Sequence, residues 1–443
     1  MWLFEEGTSS FLISRGFVDL VYDINLIFLS GAIHTGQSMG QNPPSPFSEW
    51  DGADTISFEK SRIPDGKIVL QGAFTMPFPQ FDRRRVKFLP LSSRKNKQQI
   101  AKMAIDPDSA PTPLSGDGER QLDEVAARVE TARANGKPVM LVFGAHSIKN
   151  CLGPLFIRMM EEKLVTHLAT NGAGIIHDWE FSFQGQSSED VRANVDQGQF
   201  GNWTETGTYL NLAFVVGAYR GLGYGESVGR MVQEEGLDFP AVEELREFIA
   251  AGAREESISE TVAAASDLLW TMQQFNIPEG RMNIPHPFKQ YGVQAAAYRL
   301  QVPFTGHPMI GHDIIYNSPY NHGGALGRCA VRDFLIYANS VAQLDGGVYL
   351  SIGSAVMSPM IFEKSLSISQ NVHLQKGNKI TNHLMVVVDL QVAPWDWSQG
   401  EPPMNNPAYY LRYCKTFNRM GGTLKYITAD NRDFLLGLYS RLR

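Results

Sequence analysis

The sequence predicts an α/β protein built around a doubly wound, mostly parallel sheet of the Rossmann-like type. From about residue 115 onward, short apolar runs alternate with segments whose apolar residues recur at helical spacing. The run at 138–143 is apolar throughout, which is typical of a strand buried on both faces of a parallel sheet. Because alternating strands and helices form right-handed βαβ units, we expect helices on both faces of one sheet.

The predicted elements continue this alternation to the last residues. The helix at 116–135 has Leu122, Val125 and Val129 on one face and stops at Gly136. Further strands are expected at 165–169, 302–305, 348–352, 384–390 and 423–427. Further helices are expected at 154–164, 288–300, 328–344, 361–369, 407–417 and 431–442.

The predicted domain organisation has two parts. Residues 1–112 are expected to form a poorly ordered or weakly packed extension, because charged runs and a proline-rich linker at 107–113 interrupt them. A regulatory arm that covers a partner subunit is the alternative. Residues 113–443 are expected to form the α/β domain, with a helical insertion at about 189–275 over the sheet.

Composition excludes several classes of function. The net charge of −7 comes without a basic stripe, so we expect no nucleic-acid partner. The most apolar N-terminal stretch, 16–34, contains Asp19 and Asp23, and a charge at mid-bilayer costs about 2.5 to 3.5 kcal/mol, so we expect no membrane span. The three cysteines lie far apart, which indicates neither a disulfide framework nor a zinc ribbon and favours the cytoplasm.

Small and polar residues follow the predicted strands. Ligands of open parallel sheets bind beyond the carboxyl ends of the strands, so the segments after each strand are candidate loops. Small residues let a backbone approach a phosphate closely, and a carboxylate such as Asp430 can bind ribose hydroxyls. The prediction depends on the whole set, since none of the loops has the GxGxxG pattern. The loops are 144–150, 170–178, 305–313, 353–359 and 428–430.

Several histidines lie close together in the sequence. His307 and His312 are followed by His322, and His286 precedes them. This spacing is not one of the strong zinc patterns, so we expect no metal. Imidazole suits proton transfer near neutral pH, which makes His307 and His312 candidate catalytic residues.

The order of the loops resembles that of the deoxyhypusine synthase family over about residues 138–442, with the helical block poorly matched. The first loop is similar to the family's Gly-Tyr-Thr-Ser-Asn segment and keeps Ser147. The second is similar to Thr-Thr-Ala-Gly-Gly-Val-Glu-Glu-Asp; it keeps Asp178 and has His177 in place of an NAD-binding acid. Asp313 lies where a Leu-Gly-Asp segment would end, and the segment that ends at Asp430 resembles Tyr-Ala-Asp.

The resemblance implies an NAD-dependent enzyme whose cofactor sites lie between subunits of a homo-oligomer, a dimer or a tetramer. Family members oxidise spermidine and transfer its aminobutyl group through a lysine imine to a lysine of a protein acceptor. Lys415 falls close to the imine-forming lysine. Asp313, Asp396 and Trp397 are expected to hold the cationic amine. The implied cofactor contacts are Ser147, Thr170, Gly172, Gly174, His177, Asp178, Ala429 and Asp430.

One departure from the family concerns the base of the reaction. The family's two-histidine turn is replaced by Ser358 and Pro359, and neither side chain is a useful base. We therefore do not expect the complete deoxyhypusine synthase reaction at an ordinary rate.

The sequence thus predicts an NAD-dependent transferase that acts on a polyamine or another primary amine through a lysine imine. One alternative is a nucleotide-binding family member without catalysis, and another is a homospermidine synthase-like enzyme. A third is an unrelated hydrolase that uses His307, His312 and Asp313.

Overall fold

The computed structural model describes residues 78–255, 259–392 and 395–443, together with a separate hairpin. In that hairpin, Glu59–Arg62 pairs antiparallel with Ile68–Gln71. The chain divides into two units, Met1–Gln80 and Phe81–Arg443.

Six parallel strands form the central sheet of the second unit, Phe81–Arg443. The strand order is β3-β2-β1-β4-β5-β6, which is the order of the Rossmann fold. The predicted α/β class and the six predicted strands are therefore confirmed. The strands are β1 Val139–Phe143, β2 His167–Asn171, β3 Phe304–His307, β4 Val348–Ile352, β5 Leu384–Asp389 and β6 Thr423–Thr428.

Helices connect the strands and cover the sheet. They are α1 Ile100–Met103, α2 Gly118–Ala134, α3 Ala145–Lys149, α4 Gly153–Glu161, α5 Gly172–Gln184, α6 Val191–Asp196, α7 Thr204–Tyr219, α8 Tyr224–Glu234, α9 Val242–Gly252, α10 Glu260–Gln274, α11 Val293–Leu300, α12 Gly323–Ala342, α13 Met357–Gln375, α14 Arg412–Asn418 and α15 Asn431–Leu442. Each helix predicted between the strands is present, with ends that differ by a few residues.

Both faces of the sheet are buried, as the apolar runs predict. Along β1, Leu141 and Phe143 join one hydrophobic core, whereas Met140 and Val142 join a second core on the opposite face. Successive side chains of a strand point to opposite faces, so a strand that is apolar throughout must be covered twice.

The segment 189–275 is mainly helical, as predicted. It contains α6 to α10, and the strand Gly236–Phe239 within it pairs antiparallel with Gly280–Asn283. In the described residues, no helix is both long and apolar enough to cross a membrane. The three cysteines, Cys151, Cys329 and Cys414, are buried and form no disulfide.

The structure differs from the sequence prediction over residues 81–112. Leu91, Arg94 and Ile100 are buried, and Asn96–Gln99 pairs antiparallel with Gln186–Glu189. The physical reason is a partner far along the chain, because both terminal nitrogens of Arg94 donate to the Glu180 carboxylate at 2.7 Å. The rest of the predicted 1–112 extension lies outside the described residues apart from the hairpin and 78–80, and its weak packing stays a prediction.

Removing the Arg94 guanidinium should destabilise this unit. Arg94→Ala leaves the buried Glu180 carboxylate unpaired, and breaking a buried ion pair in this way costs about 3 to 5 kcal/mol. The free energy of unfolding from urea titrations measures the loss. The exposed Arg85 supplies the control, since Arg85→Ala should change it by less than about 0.5 kcal/mol. Equal effects of the two substitutions would contradict the structural role of Arg94.

Candidate functional site

The carboxyl ends of β1 and β4 lie side by side where the strand order reverses. The Gly144 N–H donates to the Ile352 carbonyl at 3.1 Å, and a Cβ on Gly144 would lie 2.2 Å from the Gly353 carbonyl oxygen. Gly353 has φ of 56°, in the left-handed region that favours glycine. Backbone therefore meets backbone at this point, which is where ligands of such sheets bind.

The loop after β6 closes the same crevice. The Asn431 amide nitrogen lies 3.4 Å from the buried Ser147 hydroxyl, and a Cβ on Gly353 would lie 2.7 Å from that nitrogen. Ala429 is buried at the end of β6. The Asp430 carboxylate accepts the Arg432 N–H at 2.8 Å and so caps α15. The predicted cofactor residues Ser147, Ala429 and Asp430 thus lie at the carboxyl ends of β1 and β6.

The loop after β2 is held against β1. The Thr170 hydroxyl donates to the Phe143 carbonyl at 2.9 Å, and Gly174 lies so close to Thr170 that a Cβ would meet the hydroxyl at 2.1 Å. A Cβ on Gly172 would likewise lie 2.1 Å from Oδ2 of the Asp313 carboxylate. The three predicted residues Thr170, Gly172 and Gly174 therefore join the carboxyl ends of β1, β2 and β3.

A cavity of about 190 Å³ lies at this end of β1, β2 and β3. The volume suits a small metabolite, since one water molecule takes about 30 Å³ of the liquid. The helix α3 connects this cavity to the crevice, because it carries both Ser147 and Lys149. The polar lining includes Lys149, His177, Ser188, Glu189, His312 and Asp313.

Asp313 is an acid of the cavity whose carboxyl is only partly hydrogen-bonded, since it has a hydrogen bond to the Met309 backbone. Its Oδ2 atom is buried and has no hydrogen-bond partner in the described residues. Burial raises the pKa of the Asp313 carboxyl to about 6. His312, which precedes it, is exposed. An acid in this state suits a ligand that brings a positive charge, because such a ligand would restore the missing interaction.

A buried charge network forms part of the cavity wall. Glu180 is bound by Arg94, and the Ser187 hydroxyl donates to Glu180 Oε2 at 2.6 Å. Burial by itself would raise the pKa of the Glu180 carboxyl, but Arg94 and His177 hold it at about 2. The His177 Nδ1 atom lies 2.7 Å from the Ser187 oxygen. His177 therefore reaches the cavity on a chain of buried polar groups.

His307 lies elsewhere than the sequence prediction expected. It is the last residue of β3, and its Nε2 atom lies 2.9 Å from the Thr305 hydroxyl. That hydroxyl also lies 2.9 Å from Nε2 of His167. Burial lowers the pKa of His307 to about 3, so its ring is neutral at physiological pH. It is not part of the cavity lining and is packed against Tyr337.

Asp178 also differs from its predicted role as a cofactor contact. Its carboxylate is buried and accepts the N–H groups of Val293 at 2.9 Å and Gln294 at 3.0 Å, together with the Gln294 side chain. Those groups begin α11, and their free donors need an acceptor. Asp178 is therefore a helix cap.

The predicted amine-binding and imine-forming residues near the C-terminus lie apart from the cavity. Trp397 is buried in the second core, and the exposed Asp396 caps a short turn through Ser398 at 3.0 Å. The Lys415 ammonium lies 3.5 Å from the centre of the Tyr409 ring and 3.6 Å from the Glu401 carboxylate. None of these residues lines the cavity that contains Asp313.

The other two histidines of the sequence cluster have structural partners. His322 accepts the Ala325 N–H at 3.2 Å and caps α12, and His286 accepts the Trp179 indole N–H at 3.1 Å. Across the described ranges, no three histidine, cysteine or acidic side chains are grouped to hold a metal ion.

Sequence reasoning missed several residues of the site, among them Arg94, Glu180 and Lys149. Arg94 and Glu180 are separated by 86 positions, and no local pattern indicates a partner at that distance. Lys149 could have been predicted, because it lies six residues after the last residue of a predicted strand, in the candidate loop 144–150. A lysine beside a histidine-containing loop is the signal that could have found it.

Comparisons with known proteins give structural neighbours only. No family model and no curated protein matches the chain. A complex of AgrE with ornithine and NAD+ matches with 16% identity and a TM-score of 0.35 over 75% of this chain. ArgZ, an arginine dihydrolase from cyanobacteria, matches with 15% identity and a TM-score of 0.32 over 73% of this chain. The chain spans about a third of these proteins, 34% and 33% of their respective lengths.

A third neighbour is a conserved protein of the LOR/SDH type from Methanococcus maripaludis S2. It matches with 11% identity and a TM-score of 0.36, over 76% of this chain and 73% of its own. The Rossmann assignment itself rests on the strand order of the sheet.

The state of Asp313 should be visible in the pH dependence of stability. Its pKa in the folded chain lies above the value of 3.8 for a free side chain, so the stabilisation is complete below about pH 4 and is lost as the pH rises through 6. The free energy of unfolding of the wild type, minus that of Asp313→Asn, should therefore fall between pH 4 and 7. The expected fall is on the order of 1 to 3 kcal/mol. Urea titrations at several pH values measure it.

The control for this measurement is Asp196→Asn, at an exposed aspartate in α6. The difference in the free energy of unfolding between the wild type and Asp196→Asn should change much less over the same pH range. A flat difference for Asp313→Asn would mean that the carboxyl is solvated or paired.

Proposed function

We propose that this chain is an NAD-dependent enzyme that acts on the amine group of a small molecule. One observation carries the proposal, namely that a crevice of backbone contacts at the reversal of a Rossmann sheet adjoins a cavity lined by a carboxylate with one oxygen that has no hydrogen-bond partner in the described residues. The helix α3 contributes Ser147 to the first and Lys149 to the second. Dinucleotide sites of this fold occupy such a crevice, so the reacting end of the cofactor and the amine would meet where the two join.

The residues at the crevice fit a dinucleotide. The backbone contact between Gly144 and Gly353 leaves no side chain in the way of a phosphate, and Ser147 and Asn431 are hydrogen-bonding groups beside it. Asp430 is the candidate partner for ribose hydroxyls. NAD+, when bound, supplies the acceptor for the hydride that leaves the carbon bearing the amine.

The charges of the cavity support an amine that also carries an acid group. Asp313 is the group to hold the ammonium, and the Lys149 side chain, which also lines the cavity, would hold a carboxylate. A polyamine has no group for Lys149. We therefore propose an α-amino acid or a similar zwitterion ahead of spermidine as the substrate.

We also propose that the reaction passes through an imine between the substrate and a lysine of this chain. The amine that lines the cavity is Lys149, whereas the Lys415 ammonium lies between a tyrosine ring and a carboxylate. For an imine formed in this cavity, we propose Lys149 as the first candidate and Lys415 as the second. We further propose that a lysine of a protein accepts the group that is transferred through this imine.

Self-association is a further part of the proposal. Met309, Tyr316 and Tyr320 follow β3 and are candidates for an apolar rim between subunits, but the Tyr320 ring is stacked on Phe275 within the subunit, with ring centres 4.0 Å apart. A larger exposed apolar surface lies on the neighbouring helices α12 and α13, and a closed two-fold pairing would cover it. Its residues are Val331, Leu335, Met360, Ile368 and Val372.

NAD+ should raise the melting temperature of the chain, and filling the crevice should abolish this effect. A ligand at 100 times its dissociation constant adds about 2.7 kcal/mol of stability. Gly353→Ala would place a methyl group against Asn431, in the crevice. The readout is the melting temperature with and without NAD+.

Gly377→Ala is the matched control for this substitution. Gly377 also has a positive φ, 73°, but open space surrounds its Cβ direction and it follows α13 at the opposite edge of the sheet. Both substitutions cost about 1 to 2 kcal/mol through the backbone, and Gly377→Ala should retain the response to NAD+. No response of the wild type would contradict the proposal.

Spermidine should be a poor substrate in the complete deoxyhypusine synthase reaction. The family's base is absent, because Pro359 has no basic group and the buried Ser358 hydroxyl lies 2.8 Å from that of Tyr349. A missing base lowers the rate by about 10² to 10⁴. Mass spectrometry of a lysine acceptor after incubation with spermidine and NAD+ measures the transfer. Turnover at the rate of a deoxyhypusine synthase run in parallel would contradict the prediction.

A further inference from the structure

The chain of buried groups behind His177 determines where its protons lie. The buried Glu180 carboxylate accepts hydrogen bonds from both terminal nitrogens of Arg94 at 2.7 Å. Arg94 and His177 hold the pKa of the Glu180 carboxyl at about 2. At neutral pH it is therefore a carboxylate, which has no hydrogen to donate and can only accept.

The direction of the next hydrogen bond follows from this charge. The Ser187 oxygen lies 2.6 Å from Glu180 Oε2, so the single hydroxyl hydrogen of Ser187 is donated to Glu180. The Ser187 oxygen is then an acceptor toward His177, whose Nδ1 atom lies 2.7 Å away. Nδ1 must carry a hydrogen, and in the neutral ring the free lone pair is on Nε2.

The lone pair of Nε2 is available to a ligand. The His177 ring lines the cavity, and no residue in the described ranges donates a hydrogen bond to Nε2. The charged and titratable groups that line the same cavity or interact with the ring come from several elements. They are His146 and Lys149 from α3, Arg94 from the N-terminal segment, Glu180 from its own helix, Glu189 from the adjacent strand, and His312 and Asp313 from the loop after β3.

We propose that His177 is the proton acceptor of this cavity and that Ser187, Glu180 and Arg94 are positioning residues that fix it as the Nδ1–H tautomer. The choice of a substrate ammonium as the proton donor rests on the proposed function, whereas the assignment of the His177 tautomer does not. One N–H bond of the ammonium breaks, its proton goes to Nε2, and the electron pair stays on the substrate nitrogen. His177 becomes an imidazolium and returns the proton to water after the product leaves.

This assignment places a base in the cavity wall, at a position other than that of the family's histidine. Ser358 and Pro359 stand where that histidine would be, and His307 is buried away from the cavity. His312 lines the cavity as well, but it is exposed and has no hydrogen-bond partner in the described residues to fix its tautomer.

Nitrogen NMR of the free protein labelled with ¹⁵N-histidine tests the tautomer without any ligand. His177→Asn identifies the signals by their absence. In the wild type at neutral pH we expect a protonated Nδ1 and an unprotonated Nε2, which is the minor tautomer of a free histidine side chain in water. A protonated Nε2 with a bare Nδ1 would overturn the proposal.

Serine variants test the positioning role. Ser187→Ala should release the ring to a mixture of tautomers, and Ser187→Thr, which keeps the hydroxyl, should retain the Nδ1–H form. Ser182→Ala is the matched control, because this buried hydroxyl bonds to the Asp178 carbonyl at 3.0 Å and not to the chain behind His177. A tautomer that does not change in Ser187→Ala would remove Ser187, Glu180 and Arg94 from the proposal.

Kinetics separate this proposal from the proposed function. If the wild type oxidises an amino acid with NAD+, His177→Asn should lower kcat by about 10² to 10⁴, with NAD+ binding by thermal shift unchanged. Undiminished turnover in His177→Asn would overturn the base and leave the proposed function standing. No turnover of any amine by a chain that binds NAD+ would overturn the oxidation itself, and the NMR measurement would still decide the tautomer.

Discussion

The buried pair of Arg94 and Glu180 joins the parts of the molecule that form the cavity. Arg94 comes from the segment before the first strand of the sheet, and Glu180 comes from α5, which follows β2. Two charges without water are stable only when each satisfies the other, so the pair fixes the distance between these elements. The strand Asn96–Gln99 also pairs antiparallel with Gln186–Glu189. Ser187, on the second of these strands, contacts both Glu180 and His177.

The sheet and the pair have complementary tasks. Parallel strands bring all their carboxyl ends to one edge, which concentrates small and polar loops there but does not orient individual side chains. Orientation comes from contacts across long chain distances, such as Arg94 to Glu180 and Asn431 to Ser147. At Asp313 an interaction is left to be completed, because its Oδ2 atom has no hydrogen-bond partner in the described residues and burial raises the pKa of its carboxyl to about 6, so the charged form is disfavoured there.

The fold was predictable from the sequence because strands buried on both faces are apolar at every position. Runs such as 138–143 and 384–388 contain no polar side chain, which is typical of strands covered on both faces of a parallel sheet. The candidate site was predictable at the level of loops and not of side chains. His307 illustrates the limit, since the expected strand ended at Thr305, whereas β3 continues to His307 and directs that ring into the protein. Side chains alternate along a strand, so an error of two residues in a strand end decides whether a histidine faces a ligand or a core.

Asp178 and Lys415 were misplaced for a related reason. An aspartate after a strand can meet a cofactor or the free N–H groups of a helix, and only the position of α11 distinguishes the two. Lys415 lies against Tyr409 and Glu401, neither of which any sequence motif connects to it. Such choices depend on tertiary packing, which periodicity does not record.

The burial of the three cysteines has a practical consequence. The thiolate is the reactive form, and burial raises the pKa of Cys151 to about 11 and that of Cys329 to about 12. Cys414 is shifted in the same direction by burial. Thiol reagents should therefore leave the native chain unmodified, and a cysteine introduced at the exposed His312 position would be the sole site of labelling. A fluorophore attached there would report directly on whether the cavity is filled.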